Sequence, residues 1–189
     1  MLTLLVALLS QAPSEAPPVC SDVRPPLGSD RVTYEKFHKS VISVFGADRQ
    51  SYVRGHRHAG IDIRGRSGER VRPICVGRVV DIHLDFPHRT IVVEHVDEAG
   101  SRFYSSYKHV EDVAVEVGDL VQPDDSLARL FVESERKRAS FQVTHLHFEL
   151  RHSIEDGGVA SWTAMSMEEL QKYADDPLPF FRRHLTNLR

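Results

Sequence analysis

The apolar stretch from Leu2 to Leu9 falls far short of the roughly 20 residues that a membrane-spanning helix requires, and no spanning segment is expected in this 189-residue chain. Charge of either sign is not in excess. A net charge of −3 with 27% charged residues provides no field for nucleic acid or an anionic membrane, so neither partner is implied. Cysteine is scarce, with only Cys20 and Cys75. In an exported chain they could form one disulfide, but two unrelated thiols fit the sequence as well. No lipoprotein pattern precedes Cys20, since Pro17, Pro18 and Val19 stand before it, and no internal repeat is present.

What is present suits one domain with short extensions and a sizeable core: 41% of the residues are hydrophobic. The Leu2–Leu9 run resembles the apolar part of a signal peptide. Small residues at Ser10/Ala12 and Ser14/Ala16 have signal-peptidase spacing, although no basic residue precedes the run and a Pro follows each candidate cut. Residues 1–16 are therefore expected to be a signal peptide, directing the chain to the periplasm or outside the cell. Residues 17–31, with Pro17, Pro18, Pro25 and Pro26, are expected to form an extended linker. The folded domain is expected over 32–189, acting as a monomer.

Within that domain strand signals dominate. Val41–Phe45 ends at Gly46, and Ala59–Ile63 is closely followed by Gly65. Val71–Val76, Gly77–Leu84 and Thr90–His95 are rich in Val and Ile, Arg102–Val110 carries three aromatics, and Val113–Leu130 is broken by Gly118 and Pro123. Phe141–Arg151 alternates apolar and polar residues. Many short strands between turn residues predict an all-β sandwich or barrel. One short helix is expected near the C-terminus, where Ser166–Glu169 forms a capping box and Pro177 ends the helix.

Eleven histidines justify a search for a metal or acid/base site. Residues two or four apart on a strand share a face. His145-Leu146-His147 thus points two imidazoles one way, and His58-Ala59-Gly60-Ile61-Asp62 places His58 with Asp62. Gly60, lying between them without a side chain, would leave room for a metal or substrate. Two histidines and a carboxylate suit Zn²⁺ with a fourth position open to water. His56-Arg57-His58 is a second His-x-His pair, so strand parity leaves His56, His58, Asp62, His145 and His147 all as candidate ligands. A cupin metal site would need a second Pro/Gly-rich motif with its own His, which is absent. Tyr107-Lys108-His109 adds a further histidine.

Together, His58-Ala-Gly-Ile-Asp62, Tyr107-Lys-His109 and Thr144-His-Leu-His147-Phe-Glu-Leu150 resemble the three signatures of the lysostaphin/LytM-type zinc endopeptidases, over roughly Ser40–Arg151. The resemblance implies an antiparallel β-sheet groove, one zinc on His58, Asp62 and His147, and catalytic roles for His109 and His145. It also implies a substrate among the peptides of bacterial peptidoglycan. The alternative inside the resemblance is a non-catalytic regulator that activates cell-wall amidases. His56 is then expected at the rim, and Glu149 either behind a ligand histidine or on the surface. His38, His83, His88, His95 and His184 are expected on the surface. Relatives carry a glycine-rich turn before the His-x-His strand, whereas residues 127–140 here lack glycine and include Arg136-Lys137-Arg138. This change predicts a longer, charged wall to the groove.

Overall fold

The computed structural model describes residues 17–28, 33–49, 54–154 and 166–185. Helix α1 (Tyr34–Lys39) leads into β1 (Val41–Ser43), β2 (Ile61–Arg64), β3 (Arg70–Val71), β4 (Gly77–His83), β5 (Thr90–Val96) and β6 (Arg102–Lys108). Then come β7 (Val110–Glu111), β8 (Leu120–Val121), β9 (Ala128–Leu130), α2 (Glu133–Arg138) and β10 (His145–Arg151). The C-terminal part holds α3 (Met167–Leu170), β11 (Ala174–Asp175) and α4 (Pro177–Leu185). All named strand pairs are antiparallel, in the mostly-β arrangement expected. The large sheet runs β1-β2-β10-β6-β5-β4-β8, with β11 also on β10, and a small sheet runs β3-β9-β7.

Alternation along the central strands divides the large sheet into two chemically different faces. Ile61, Ile63, Ile91, Val93, Tyr107, Leu146 and Phe148 enter the core. They pack there with Val71, Val110 and Leu130 of the small sheet and with Phe37 and Phe181 of α1 and α4. The opposite face is polar. Register places Asp62 on β2 opposite His147 on β10, and His147 opposite Lys108 on β6, so three polar side chains form one row across three strands.

Several elements differ from expectation. Residues 17–28 are extended, as a linker would be, but they are packed as part of the domain. Cys20, Val23 and Leu27 join the core, and the Cys20 and Arg24 amides donate to Val96 and Ile74 carbonyls. A disulfide joins Cys20 to Cys75, with Cα atoms 5.4 Å apart. The capping box does start a helix at Ser166, yet Pro177 does not stop it. That helix, α3, ends at Leu170, and Pro177 instead opens α4, where a proline's missing N–H costs nothing. His95 is buried rather than exposed, because it continues the Ile91–Val93 face of β5 into the core. His83 and His88 are half-buried, and only His38 and His184 are exposed as expected. The signal-peptide expectation over 1–16 lies outside the described residues.

Candidate metal centre and active site

His58, Asp62 and His147 converge although they come from different places. Asp62 and His147 are opposite each other on β2 and β10. His58 precedes β2 and is fixed by the chain before it: Gly46 N–H donates to the His58 carbonyl, and His58 N–H donates to Ala47. Its Nε2 lies 3.0 Å from Asp62 Oδ1 and 2.9 Å from His147 Nδ1, and His147 Nδ1 is 3.1 Å from Asp62 Oδ1.

The outer hydrogen bonds set the proton positions. His58 Nδ1–H donates to the Val44 carbonyl (2.8 Å), and His147 Nε2–H donates to Glu149 Oε1 (2.9 Å). Each ring therefore turns its lone-pair nitrogen toward Asp62. Three lone-pair atoms meeting at one point repel one another unless a cation or a shared proton lies among them. The triangle's edges are a few tenths of an ångström short of the about 3.3 Å expected between tetrahedral ligands with metal bonds of 2.0–2.1 Å. The donor set thus fits a divalent ion such as Zn²⁺ with little movement. Burial opposes charge on Asp62, but the imidazoles of His147 and His58 against it hold its carboxyl well below the carboxylate range. Burial pushes His58 down. His147 is pushed up, against the effect of burial, by Asp62 and Glu149.

Supporting groups surround the cluster. Arg49 Nη2 donates to Asp62 Oδ2 (2.6 Å), leaving Oδ1 as the converging atom. Glu149 is fully buried, not superficial. Burial disfavours its charge, but Lys108 and His147 keep it well below the usual carboxylate range, and Arg151 donates to its other oxygen at 2.7 Å. Gly60 has a different role from the one expected. A Cβ there would meet the Phe148 carbonyl oxygen at 2.1 Å, so the glycine admits the neighbouring strand β10 rather than a ligand. His56 is half-buried and does not join the three-atom cluster.

His109 and His145 stand beside this centre, with rings 5.1 Å apart and the His109 ring 6.0 Å from that of His147. His109 breaks β6 from β7 and has a φ of 69°, a left-handed conformation uncommon outside glycine. Both rings are anchored alike. His109 Nδ1 donates to the Pro87 carbonyl at 2.8 Å and His145 Nδ1 to the Val143 carbonyl at 3.0 Å, which leaves Nε2 as the acceptor nitrogen of each. Burial, reinforced by His145 and His147, pushes His109 well below the ordinary histidine value. Phe141 packs edge-on to His109 at 4.6 Å and borders His145 at 5.1 Å.

All five residues named from the sequence are therefore together. Arg49, Lys108 and Arg151 were not singled out. Arg49 gives no local signal, because its link to Asp62 exists only once the loop before β2 folds back.

Known structures share this fold. The catalytic domain of lysostaphin from Staphylococcus simulans superposes with a TM-score of 0.54 at 19% identity, covering 79% of this chain and 98% of that domain. Lysostaphin itself gives 0.53 at 19% identity over 79% of this chain, which spans about half (52%) of its length. LytU gives 0.51 at 24% identity, covering 75% of this chain and 83% of LytU. These likenesses show the fold. No curated protein matches at the level of sequence. The family model for peptidase family M23 matches residues 56–160, a span that contains all five converging residues, and this chain belongs to that family.

Proposed function

We propose that this chain is an exported zinc endopeptidase that hydrolyses peptide bonds of bacterial peptidoglycan. The observation that carries the reading is the meeting of three lone-pair ligand atoms, from His58, Asp62 and His147, beside two histidines whose Nε2 atoms have no hydrogen-bond partner among the described residues. Zinc held by the three side chains would leave a fourth position for water and lower that water's pKa toward neutrality.

The chain's own residues supply the rest. His109, kept neutral by burial, is the acceptor for the proton of the attacking water at Nε2. His145, anchored through Nδ1, is placed to orient that water and to stabilise the developing oxyanion. Arg49 and Glu149 hold Asp62 and His147 so that one defined atom of each faces the centre. Export is supported by the Cys20–Cys75 disulfide, which suits an oxidising compartment. A purely regulatory, non-catalytic role finds no supporting observation, since every position of the site carries the residue the chemistry needs.

The test is digestion of purified sacculi of different cross-link chemistry by the zinc-loaded chain, with new termini identified by mass spectrometry. New amino termini that disappear with chelator and return with zinc are expected. A zinc-loaded protein that produces none on any sacculus would sink the reading.

A further inference from the structure

Helix α2 precedes the strand that carries His145 and is tied through Arg136 to Phe141, which packs on His109 and His145; its cations are not equivalent. Arg136 and Lys137 both pair with Glu133, at 2.8 and 3.2 Å. Glu135 is gripped by Arg129 of β9 through two bonds of 2.7 and 2.9 Å. Arg138 is exposed and forms no ion pair among the described residues. Its guanidinium sits 3.8 Å above the ring of Phe86. The helix beneath it is firmly held, by the Arg129–Glu135 fork on one side and on the other by Arg136, which donates to the Phe141 and Gln142 carbonyls.

A run of rings, half-buried at Phe86 and Phe141 and buried at Phe131 between them, joins this cation to the chemistry. Phe86 stacks on Phe131 at 5.3 Å, Phe131 stacks on Phe141 at 5.9 Å, and Phe141 borders both His109 and His145. An extended peptide covers about 3.3–3.6 Å per residue, so a few residues would bridge the histidines and Arg138. A guanidinium seated on a ring is oriented in advance and keeps N–H groups for a planar acceptor. A carboxylate is the acceptor that matches this fork in both shape and charge.

We propose that Arg138 is a specificity residue that takes a carboxylate of the substrate peptide a few residues from the scissile bond; this rests on the peptidase reading above. The probe is a pair of synthetic cross-linked stem peptides that differ only in whether their side carboxyl groups are free or amidated. Their kcat/KM is measured with the zinc-loaded full chain. The wild type should prefer the free carboxylate by about three- to tenfold, and the preference should shrink in high salt. Arg138→Gln, which keeps the stem over Phe86, should cleave both peptides with similar kcat/KM, and Arg138→Lys should keep part of the preference. A wild type without preference, or a Gln variant that retains it, would overturn the proposal. If the zinc-loaded wild type cuts neither peptide yet releases new termini from sacculi, the carboxylate proposal fails and the peptidase reading stands; if it also releases none from any sacculus, both fail.

Discussion

On acidification from pH 7.5 to pH 5, His95 can take up a proton only at the expense of the fold. Its ring is fully buried, stacked 5.0 Å from Phe103, with Nδ1 2.8 Å from the Val76 carbonyl and Nε2 2.7 Å from Ser105 Oγ. Burial lowers its pKa to about 4, only partly offset by the Val76 carbonyl. In the unfolded chain the same imidazole titrates near 6.5. Between these values the unfolded state binds the extra proton, so the contribution of neutral His95 is complete above about pH 6.5 and is lost as the pH falls toward 4. From pH 7.5 to pH 5 the loss is about 2 kcal/mol. The assay is urea unfolding of the metal-free chain at both pH values, for the wild type and for His95→Gln. The difference between the two pH responses cancels the packing defect and the other titrating groups. The wild type should lose about 2 kcal/mol more than the variant. The same pH response in both proteins would refute the idea that this buried ring must remain neutral.

Replacing Cys20 and Cys75 together by Ala opens a loop with a sequence separation of 55 residues and should lower unfolding stability by about 2–4 kcal/mol; chemical denaturation with m-values monitored would show it, and a loss below 1 kcal/mol would contradict the bracing role of residues 17–28. Gly60→Ala drives a methyl group into the Phe148 carbonyl, so it should separate β2 from β10 and abolish metal binding along with much of the stability. A variant that folds and binds zinc normally would show that the strands have slack there. Glu149→Gln should weaken zinc binding by about 10- to 100-fold, read by competition with a chelating dye. Unchanged affinity would mean that the Glu149 contact does not orient His147.

The fold class and the candidates His58, Asp62, His145 and His147 were legible because strand periodicity is local: two-residue spacing in His145-Leu146-His147 puts both imidazoles opposite a core leucine, and the pleat enforces it. Periodicity left His56 beside them as an equal candidate, and His109 and the division between ligands and catalytic residues came only from the resemblance to the lysostaphin/LytM-type family. The same rule reaches His95, since Ile91, Val93 and His95 share one parity, but an imidazole in a core needs partners for both nitrogens. Those partners, Val76 and Ser105, are 19 and 10 residues away. Gly60 was expected to leave room for a metal or substrate, and only the register with β10 shows that it makes room for the Phe148 carbonyl instead. Pro177 reads equally as a helix stop or a helix start, and packing of Phe181 against Phe37 and Phe148 decides for a start. The Pro-rich segment was legible as extended, but its attachment depended on the pairing of two cysteines far apart in sequence. Arg49 and Arg151 gave no signal because long, charged side chains usually lie on the surface. Here they are needed as counter-ions to carboxylates that the sheet has brought in from elsewhere.

The central claim is that His58, Asp62 and His147 hold a metal on which His109 and His145 rely without binding it. The most direct measurement is the zinc content per chain, by elemental analysis after desalting, for the wild type and for His147→Ala, His145→Ala and His109→Ala. The account predicts about one zinc for the wild type, His145→Ala and His109→Ala, and none for His147→Ala. A wild type without zinc, or a His145→Ala chain that loses it as readily as His147→Ala, would contradict the account.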